Sequence, residues 1–294
     1  MALPTDPSRL ILTDADITRP GPLRDALDMG GSGASDVGIS GYDVVVVAGQ
    51  SNAAGSGEPF SSVLDPPTSL IDQFGAKVRT IRAASEPLDF NGNPTGIGPG
   101  LQFARWYTAQ LAPGRKVLLV PAAKGGTRLC SDSGESWRAT RPTPSLYAAA
   151  IAQTQEAITA AGAGTHRVVA VLWLQGEADS FVSTPAATYQ TDLDNLIDAF
   201  RADLGDPRLP FIIGPMVHEW VLNGSTGAPA GTAALIRDVH AATPTRRAFT
   251  GYAAAEPVMP FDPADVIHWP GPAQRLIGER LYRAWLRAHT TRTT

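Results

Sequence analysis

Short, nearly unbroken apolar runs recur along the chain, and each stops near a turn signal. Residues 44–48 (VVVVA) stop at Gly49, and residues 117–121 (VLLVP) stop shortly before Gly125-Gly126. Residues 168–174 (VVAVLWL) stop at Gln175-Gly176, and residues 211–213 (FII) at Gly214-Pro215. Runs rich in β-branched residues and without polar alternation predict strands buried on both faces, hence a parallel sheet with helices on each side. The segments between them carry helical spacing. Residues 100–111 place Leu101, Phe103, Ala104, Trp106 and Leu111 apolar; residues 187–204 place Tyr189, Leu193, Leu196, Ile197 and Phe200. Residues 145–161 form a further helical segment, with Ser145 as N-cap and Gly162 as the stop. Residues 272–288 close the series, with Pro272 suited to a first helical turn. The β-α-β-α alternation predicts an α/β fold: a doubly wound, flavodoxin-like three-layer sandwich around a central parallel sheet.

Residues 1–41 interrupt this pattern. They are rich in Pro, Gly, Asp and Ser, and residues 29–41 (MGGSGASDVGISG) have too little apolar content for a core. We therefore expect an N-terminal arm or linker over residues 1–41 and one domain over 42–294. Such an arm would permit attachment to a larger assembly.

Composition narrows the function. Of 294 residues, 43% are hydrophobic and 18% charged, ordinary values for a globular protein. The net charge is −4 and no Lys/Arg block stands out, so no nucleic-acid partner is expected. The N-terminus lacks a basic segment followed by an apolar one, so no signal peptide is expected. No run approaches about 18 apolar residues, so neither is a membrane span. The reading is of a soluble protein whose compartment the sequence leaves open. The single cysteine, Cys130, rules out an intramolecular disulfide and a Cys-rich metal site, and reads as a small buried hydrophobe. No HExxH-like ligand set and no GxGxxG or Walker signature follows the first strand, so neither metal nor cofactor is expected.

In open α/β sheets, ligands bind beyond the carboxyl ends of the strands. After the first strand comes Gly49-Gln50-Ser51-Asn52, and after the second Lys124-Gly125-Gly126-Thr127. Gln175-Gly176-Glu177-Ala178-Asp179 follows the third, and Asp265-Val266-Ile267-His268 precedes the last helix. Each has an ordinary reading alone, as a turn, a cap or a satisfied surface group. Converging on one rim, they supply the parts for acyl transfer: a nucleophile, a base, an orienting acid and oxyanion donors. His166, His218, His240 and His289 lack a carboxylate placed like Asp265; His218 follows a strand end and could line a substrate pocket.

These segments resemble, in order, the blocks of the SGNH hydrolases, and specifically the sialate O-acetylesterase-like carbohydrate esterases. Residues 49–55 (GQSNAAG) are similar to the first block, with Ala53 where that subgroup often has Met. Gly98-Pro99-Gly100, then residues 123–127 (AKGGT), are similar to the second. Residues 172–179 (LWLQGEAD) resemble the W-x-Q-G-E-x-D block, and Asp265–His268 the closing D-x-x-H. The resemblance spans roughly residues 41–288. It implies Ser51 as nucleophile, His268 as general base and then acid, and Asp265 as the group that orients the imidazole. It also implies an oxyanion hole from the backbone N–H groups of Ser51 and Gly126. Gln175 stands where other members present an Asn donor and is the candidate third donor. Glu177 is left with two roles, pinning the oxyanion loop or serving His268 as its acid. Asn52, Trp269 and His218 are candidates for lining the substrate, and Trp173 and Trp269 for closing the acyl side around an acetyl group. Trp173, inside an apolar run, also reads as core, and Trp269, followed by Pro270 and Gly271, as partly exposed on a loop. The function implied is hydrolysis of O-acetyl groups on a carbohydrate or polysaccharide through an acyl-enzyme. The alternatives are a lipase or thioesterase on the same fold, and a carbohydrate-binding module that has lost catalysis.

Overall fold

The computed structural model describes residues 39–92, 94–141, 145–224, 231–256 and 259–289. The expected arm lies outside these residues as far as residue 38, and Gly41 is already the first residue of a strand. The strands are β1 (Gly41–Gly49), β2 (Ile71–Phe74), β3 (Ile81–Ala83), β4 (Arg115–Pro121), β5 (Arg167–Leu174), β6 (Phe211–Ile213) and β7 (Thr250–Tyr252). They form one sheet in the order β3-β2-β4-β1-β5-β6-β7. Neighbouring strands run parallel except at one edge, where β3 pairs antiparallel with β2. The helices are α1 (Ser51–Ala54), α2 (Pro99–Tyr107), α3 (Leu146–Ala160), α4 (Glu177–Phe181), α5 (Ala186–Asp203), α6 (His218–Asn223), α7 (Thr232–Arg246) and α8 (Gly271–Ala288). The doubly wound α/β architecture read from the apolar runs is the one the chain adopts. Among the described residues, no helix is long and apolar enough to cross a membrane.

β1 is buried throughout because it is central and both its faces are covered. Val44, Leu118 and Val120 cluster with Ala157 of α3. Val45, Val47, Val117 and Leu119 belong to the main core with Leu101, Phe103 and Ala104 of α2. The period of two along a strand sends alternate residues to opposite layers. α8 packs along α2 so closely that a Cβ on Gly278 would lie 2.3 Å from Gln102 Cβ. At the amino end of β1, the buried Asp43 carboxylate accepts from Arg115, Arg167 and the Tyr107 hydroxyl. This ties β1, α2, β4 and β5 together far from the strand ends that matter for chemistry.

The chain first builds the sheet to one side of β1, through β2, β3 and β4, and then crosses to the other side with β5, β6 and β7. The segments leaving β1, β4 and β5 therefore part at the carboxyl end of β1. That divergence is where an open α/β sheet forms its crevice.

Candidate active site

β1 ends at Gly49, where φ is +121° and a Cβ would lie 2.1 Å from the Leu174 carbonyl oxygen. Only glycine allows β1 and β5 to end this close together. Gln50 N–H donates to the Leu174 carbonyl (2.8 Å), and the chain turns at once into α1, whose first residue is Ser51. Ser51 is half-buried.

His268 arrives on the segment between β7 and α8. Asp265 organises that segment locally: Oδ1 accepts from the Ile267 and His268 backbone N–H groups, both at 3.2 Å. Its Oδ2 accepts from His268 Nδ1 at 2.8 Å. With Nδ1 donating, Nε2 is left as an acceptor, and the Ser51 hydroxyl lies 2.9 Å from it. Burial pushes the Asp265 carboxyl up, but the hydrogen bond and charge of His268 overcome this and hold it below its ordinary value. Such a line of hydroxyl, imidazole and carboxylate can move a proton off the serine and keep the resulting imidazolium paired.

The turn after β4 reaches the same place. Lys124 N–H donates to the Gly49 carbonyl at 3.0 Å, and a Cβ on Gly125 would touch Ser51 Cβ at 3.8 Å. Gly126 has φ +70° and lines the cavity in front of Ser51. The Thr127 hydroxyl closes the turn onto the Lys124 carbonyl (2.7 Å). Beyond it, Asp179 accepts from the Leu129 and Cys130 N–H groups at 2.7 and 3.1 Å and from the Thr184 hydroxyl at 3.0 Å. Asp179 thus fixes the outgoing end of the glycine turn, a role the sequence reading did not give it although the residue stands in the quoted block. Half-buried Cys130 reaches this loop through its backbone and does not line the cavity.

Several expected positions turn out otherwise. Gln175, the candidate third oxyanion donor, is buried and its amide points away from the cavity. Its Nε2 donates to Asp179 Oδ2 (2.7 Å), with Gln50 Oε1 (3.2 Å) and the Thr127 carbonyl (3.3 Å) also in reach. Its Oε1 accepts from the Tyr189 hydroxyl, which also meets buried His240. It braces the glycine turn from behind. Trp269, expected on an exposed loop, is fully buried, with its indole N–H on the Pro215 carbonyl at 3.1 Å. Trp173 is likewise fully buried and stacks edge-on against Trp137, so neither tryptophan bounds an acyl pocket. Asn52 is buried beneath the His268 segment instead of lining the cavity. His218 opens α6 half-exposed and does not line it either.

Glu177 is 1% exposed, and burial raises its carboxyl above the ordinary value. It bonds neither the glycine turn nor the imidazole: Oε1 accepts from Asn52 Nδ2 at 2.7 Å, and Oε2 has no partner among the described residues.

Ser51, Gly126 and His268 open onto a cavity of about 510 Å³. Ala178, Phe181, Val182 and Ile267 give it an apolar wall, and Arg128 also lines it, with Nη2 donating to the Ser131 hydroxyl at 2.8 Å. Phe181 is 38% exposed and Val182 52%. Phe181 is backed by Trp220 at 4.7 Å between ring centroids. None of these was singled out in the sequence. Arg128 is two residues past Gly126, and the pair Phe181-Val182 two past Asp179, so proximity to the motifs was the available signal.

Fold and site together define a class. Residues 41–287 match the family described as carbohydrate esterase, sialic acid-specific acetylesterase, and the chain belongs to that family. Within it, the chain is similar to a probable carbohydrate esterase of Arabidopsis thaliana, with 33% identity over 186 residues. That match takes in 58% of this chain and 66% of the plant protein, just under two thirds of its length. The crystal structure from the same Arabidopsis locus superimposes with a TM-score of 0.65 at 26% identity, over 85% of this chain and 98% of that one. NanS matches in fold with a TM-score of 0.67 and 19% identity, over 87% of this chain and all of NanS. A carbohydrate acetylesterase from Xanthomonas citri gives 0.59 and 21%, over 86% of this chain and 57% of that one.

Proposed function

We propose that this protein is a serine esterase that removes acetyl groups from a carbohydrate, with Ser51 as nucleophile, His268 as base and Asp265 as its partner. The observation that carries the reading is the line Asp265 Oδ2–His268 Nδ1 (2.8 Å) and His268 Nε2–Ser51 Oγ (2.9 Å), opening on the cavity. The Ser51 hydroxyl attacks the acetyl carbonyl carbon while His268 Nε2 takes its proton. Charge collects on the carbonyl oxygen, where the N–H groups of Ser51 and Gly126 receive it. His268 then gives its proton to the departing sugar oxygen, leaving acetyl-Ser51. A water molecule, deprotonated by the same nitrogen, attacks the acetyl carbonyl and releases acetate and the free serine. Arg128 gives the cavity a group suited to a carboxylate on the sugar, in keeping with the acidic sugar in the family's description.

A binding module without catalysis fits less well, because such a protein would not need the hydroxyl, imidazole and carboxylate in register. A lipase or thioesterase draws support from the apolar wall of Phe181, Val182 and Ile267. One experiment separates these readings: acetate release from acetylated sugars, with kcat/KM compared for acetate, butyrate and octanoate esters of one leaving group. We expect acetate to be preferred, and Ser51→Ala to lose on the order of 10³-fold or more while still folding. Turnover that survives in folded Ser51→Ala rejects the mechanism, and a constant that climbs to octanoate transfers the assignment to a lipase.

A further inference from the structure

Asn52 sits directly after Ser51, is 0% exposed, and has its side chain fully engaged. Nδ2 donates to the Ile267 carbonyl at 2.9 Å and to Glu177 Oε1 at 2.7 Å. Oδ1 accepts from the Trp269 backbone N–H at 2.9 Å. One amide therefore grips the backbone on both sides of His268 and ties it to the helical turn that carries Ser51. Its own carbonyl is held by Gln274 Nε2 of α8 at 3.2 Å. We propose that Asn52 is the positioning residue that sets how closely His268 approaches Ser51, with Glu177 fixing which way the amide faces.

The argument for a functional tie is one of connectivity. Asp265 and His268 are joined within their own segment, by the ring contact and by two backbone bonds to Oδ1. They move as a unit. Among the described residues, the hydrogen bonds that join that unit and its flanking backbone directly to α1 are the Ser51–His268 contact and those of the Asn52 amide; buried Trp269 and Gln274, on the Asn52 carbonyl, anchor the chain that follows. An amide is required because the site needs a donor for Glu177 and Ile267 and an acceptor for Trp269. A carboxylate there would set acceptor against acceptor twice. Glu177 in turn is the acceptor that keeps the amide from reversing. This assigns Glu177 a function through Asn52, distinct from both roles suggested by the sequence.

The inference rests on Ser51 and His268 being nucleophile and base, and the test keeps the two apart. Asn52→Ala, Asn52→Asp, the double variant Asn52→Asp/Glu177→Gln and Asp265→Asn are compared with the unaltered protein on one acetate ester, for kcat, KM, pH profile and melting temperature. In Asn52→Ala, we expect kcat to fall on the order of 10- to 100-fold, as about 1 Å of misplacement can do, with KM little changed. The acid limb of its pH profile should stay in place, because the Asp265–His268 unit is intact. In Asp265→Asn that limb should move to lower pH, because the imidazolium loses its carboxylate. Asn52→Asp keeps the volume and the acceptor for Trp269, so it carries the test if truncation unfolds the protein. Adding Glu177→Gln to it should recover at least about 2-fold in kcat, since an amide then faces the introduced carboxylate. The proposal is overturned by a folded Asn52→Ala protein with near-normal kcat, by a limb that shifts as in Asp265→Asn, by absence of any recovery in the double variant, or by losses in both Asn52 variants that unfolding fully accounts for. If Ser51→Ala is dead while the Asn52 variants are normal, only this inference fails; if Ser51→Ala is active, the esterase mechanism itself fails.

Discussion

Asp265 is a half-exposed carboxylate with one ring contact, and that combination sets what its loss should cost. Its side chain is 48% exposed, so water can partly replace it beside the imidazole. In the proposed mechanism it nevertheless fixes the tautomer: with Oδ2 accepting from Nδ1 at 2.8 Å, Nε2 is the nitrogen left free to take the Ser51 proton. A neutral amide at this position can instead donate to Nδ1 and stabilise the tautomer that cannot act as base. In a serine protease, that change costs about 10⁴-fold. We expect Asp265→Asn to lower kcat by at least about 10-fold and by less than that buried example. Glu177→Gln should cost less than Asp265→Asn, because the new side chain keeps a carbonyl oxygen for Asn52 and makes no contact with His268. Steady-state rates on an acetate ester decide the order, and a larger loss in Glu177→Gln would make Glu177 the acid that serves the base.

At the scale of elements, the glycine turn after β4 owes its position to a carboxylate on another element. Asp179, in α4 after β5, accepts from two consecutive backbone N–H groups, Leu129 and Cys130, and from the Gln175 amide. Asp179→Ala would leave two donors without their acceptor, the buried Leu129 N–H and the half-buried Cys130 N–H, at about 1–3 kcal/mol for a buried one and at the low end of that range for the other. Gln175 Nε2 keeps Gln50 Oε1 and the Thr127 carbonyl in reach. A total near 2–3 kcal/mol corresponds to roughly 4–12 °C in melting temperature for a domain of this size. If the loosened turn also carries Gly126 out of line, kcat should fall toward the roughly 10²-fold that follows loss of one oxyanion donor, with KM less affected. A stable Asp179→Ala protein with normal kcat would show that the turn holds itself. This dependence also explains what could be read in the sequence. β1, β4, β5 and β6 declare themselves by composition, and α3 by its ends: Ser145 Oγ accepts from Ala148 N–H, and Gly162 follows at φ +73°. β2 escaped notice because Asp72 and Gln73 are buried within it, satisfied by Tyr42, Lys116 and the Asp89 N–H. β7 is three residues, Thr-Gly-Tyr, too short for a pattern, and α7 carries Pro244 near its end. The site followed the same rule. The meeting of Ser51, Gly126 and His268 at one cavity was legible because strand ends and ordered motifs place backbone positions. Trp269 and Asn52 were misread because the direction of a side chain depends on packing. Pro270 and Gly271 suggested a partly exposed loop, whereas the indole is fully buried with its N–H on the Pro215 carbonyl, two residues past β6.

On the scale of the whole molecule, a buried acid behind the turn that carries Ser51 should make stability depend on pH. Glu86 is 7% exposed, and its oxygens accept from the Leu88 N–H at 3.1 Å and the Gly98 N–H at 3.4 Å. Gly98 caps α2 and packs against α1, where a Cβ on it would lie 3.0 Å from the Ala53 carbonyl oxygen. Burial raises the Glu86 carboxyl from 4.5 to about 8, more than its two backbone hydrogen bonds lower it. The folded protein thus keeps a proton that the unfolded chain releases from about pH 4.5 upward. Where the folded state binds more protons, stability falls with rising pH. The contribution is full below about pH 4.5, is lost through the window up to about pH 8, and stays lost above it. Glu86→Gln removes the titrating group while keeping its shape. The introduced amide places a donor near one of two backbone N–H groups, which costs a constant amount at every pH. The informative quantity is therefore the slope. Melting temperatures of the unaltered protein and of Glu86→Gln, measured from pH 5 to 9, should differ increasingly in the variant's favour up to about pH 8 and then run parallel. At 1.36 kcal/mol per unit, the change across the window is on the order of a few kcal/mol, several degrees for this domain. All other titrating groups are common to both proteins and cancel in the difference. Parallel curves over the whole range would mean that Glu86 is ionised in the fold, held so by the N-terminus of α2 and the nearby Arg105, and that the alkaline side of the stability curve is set elsewhere.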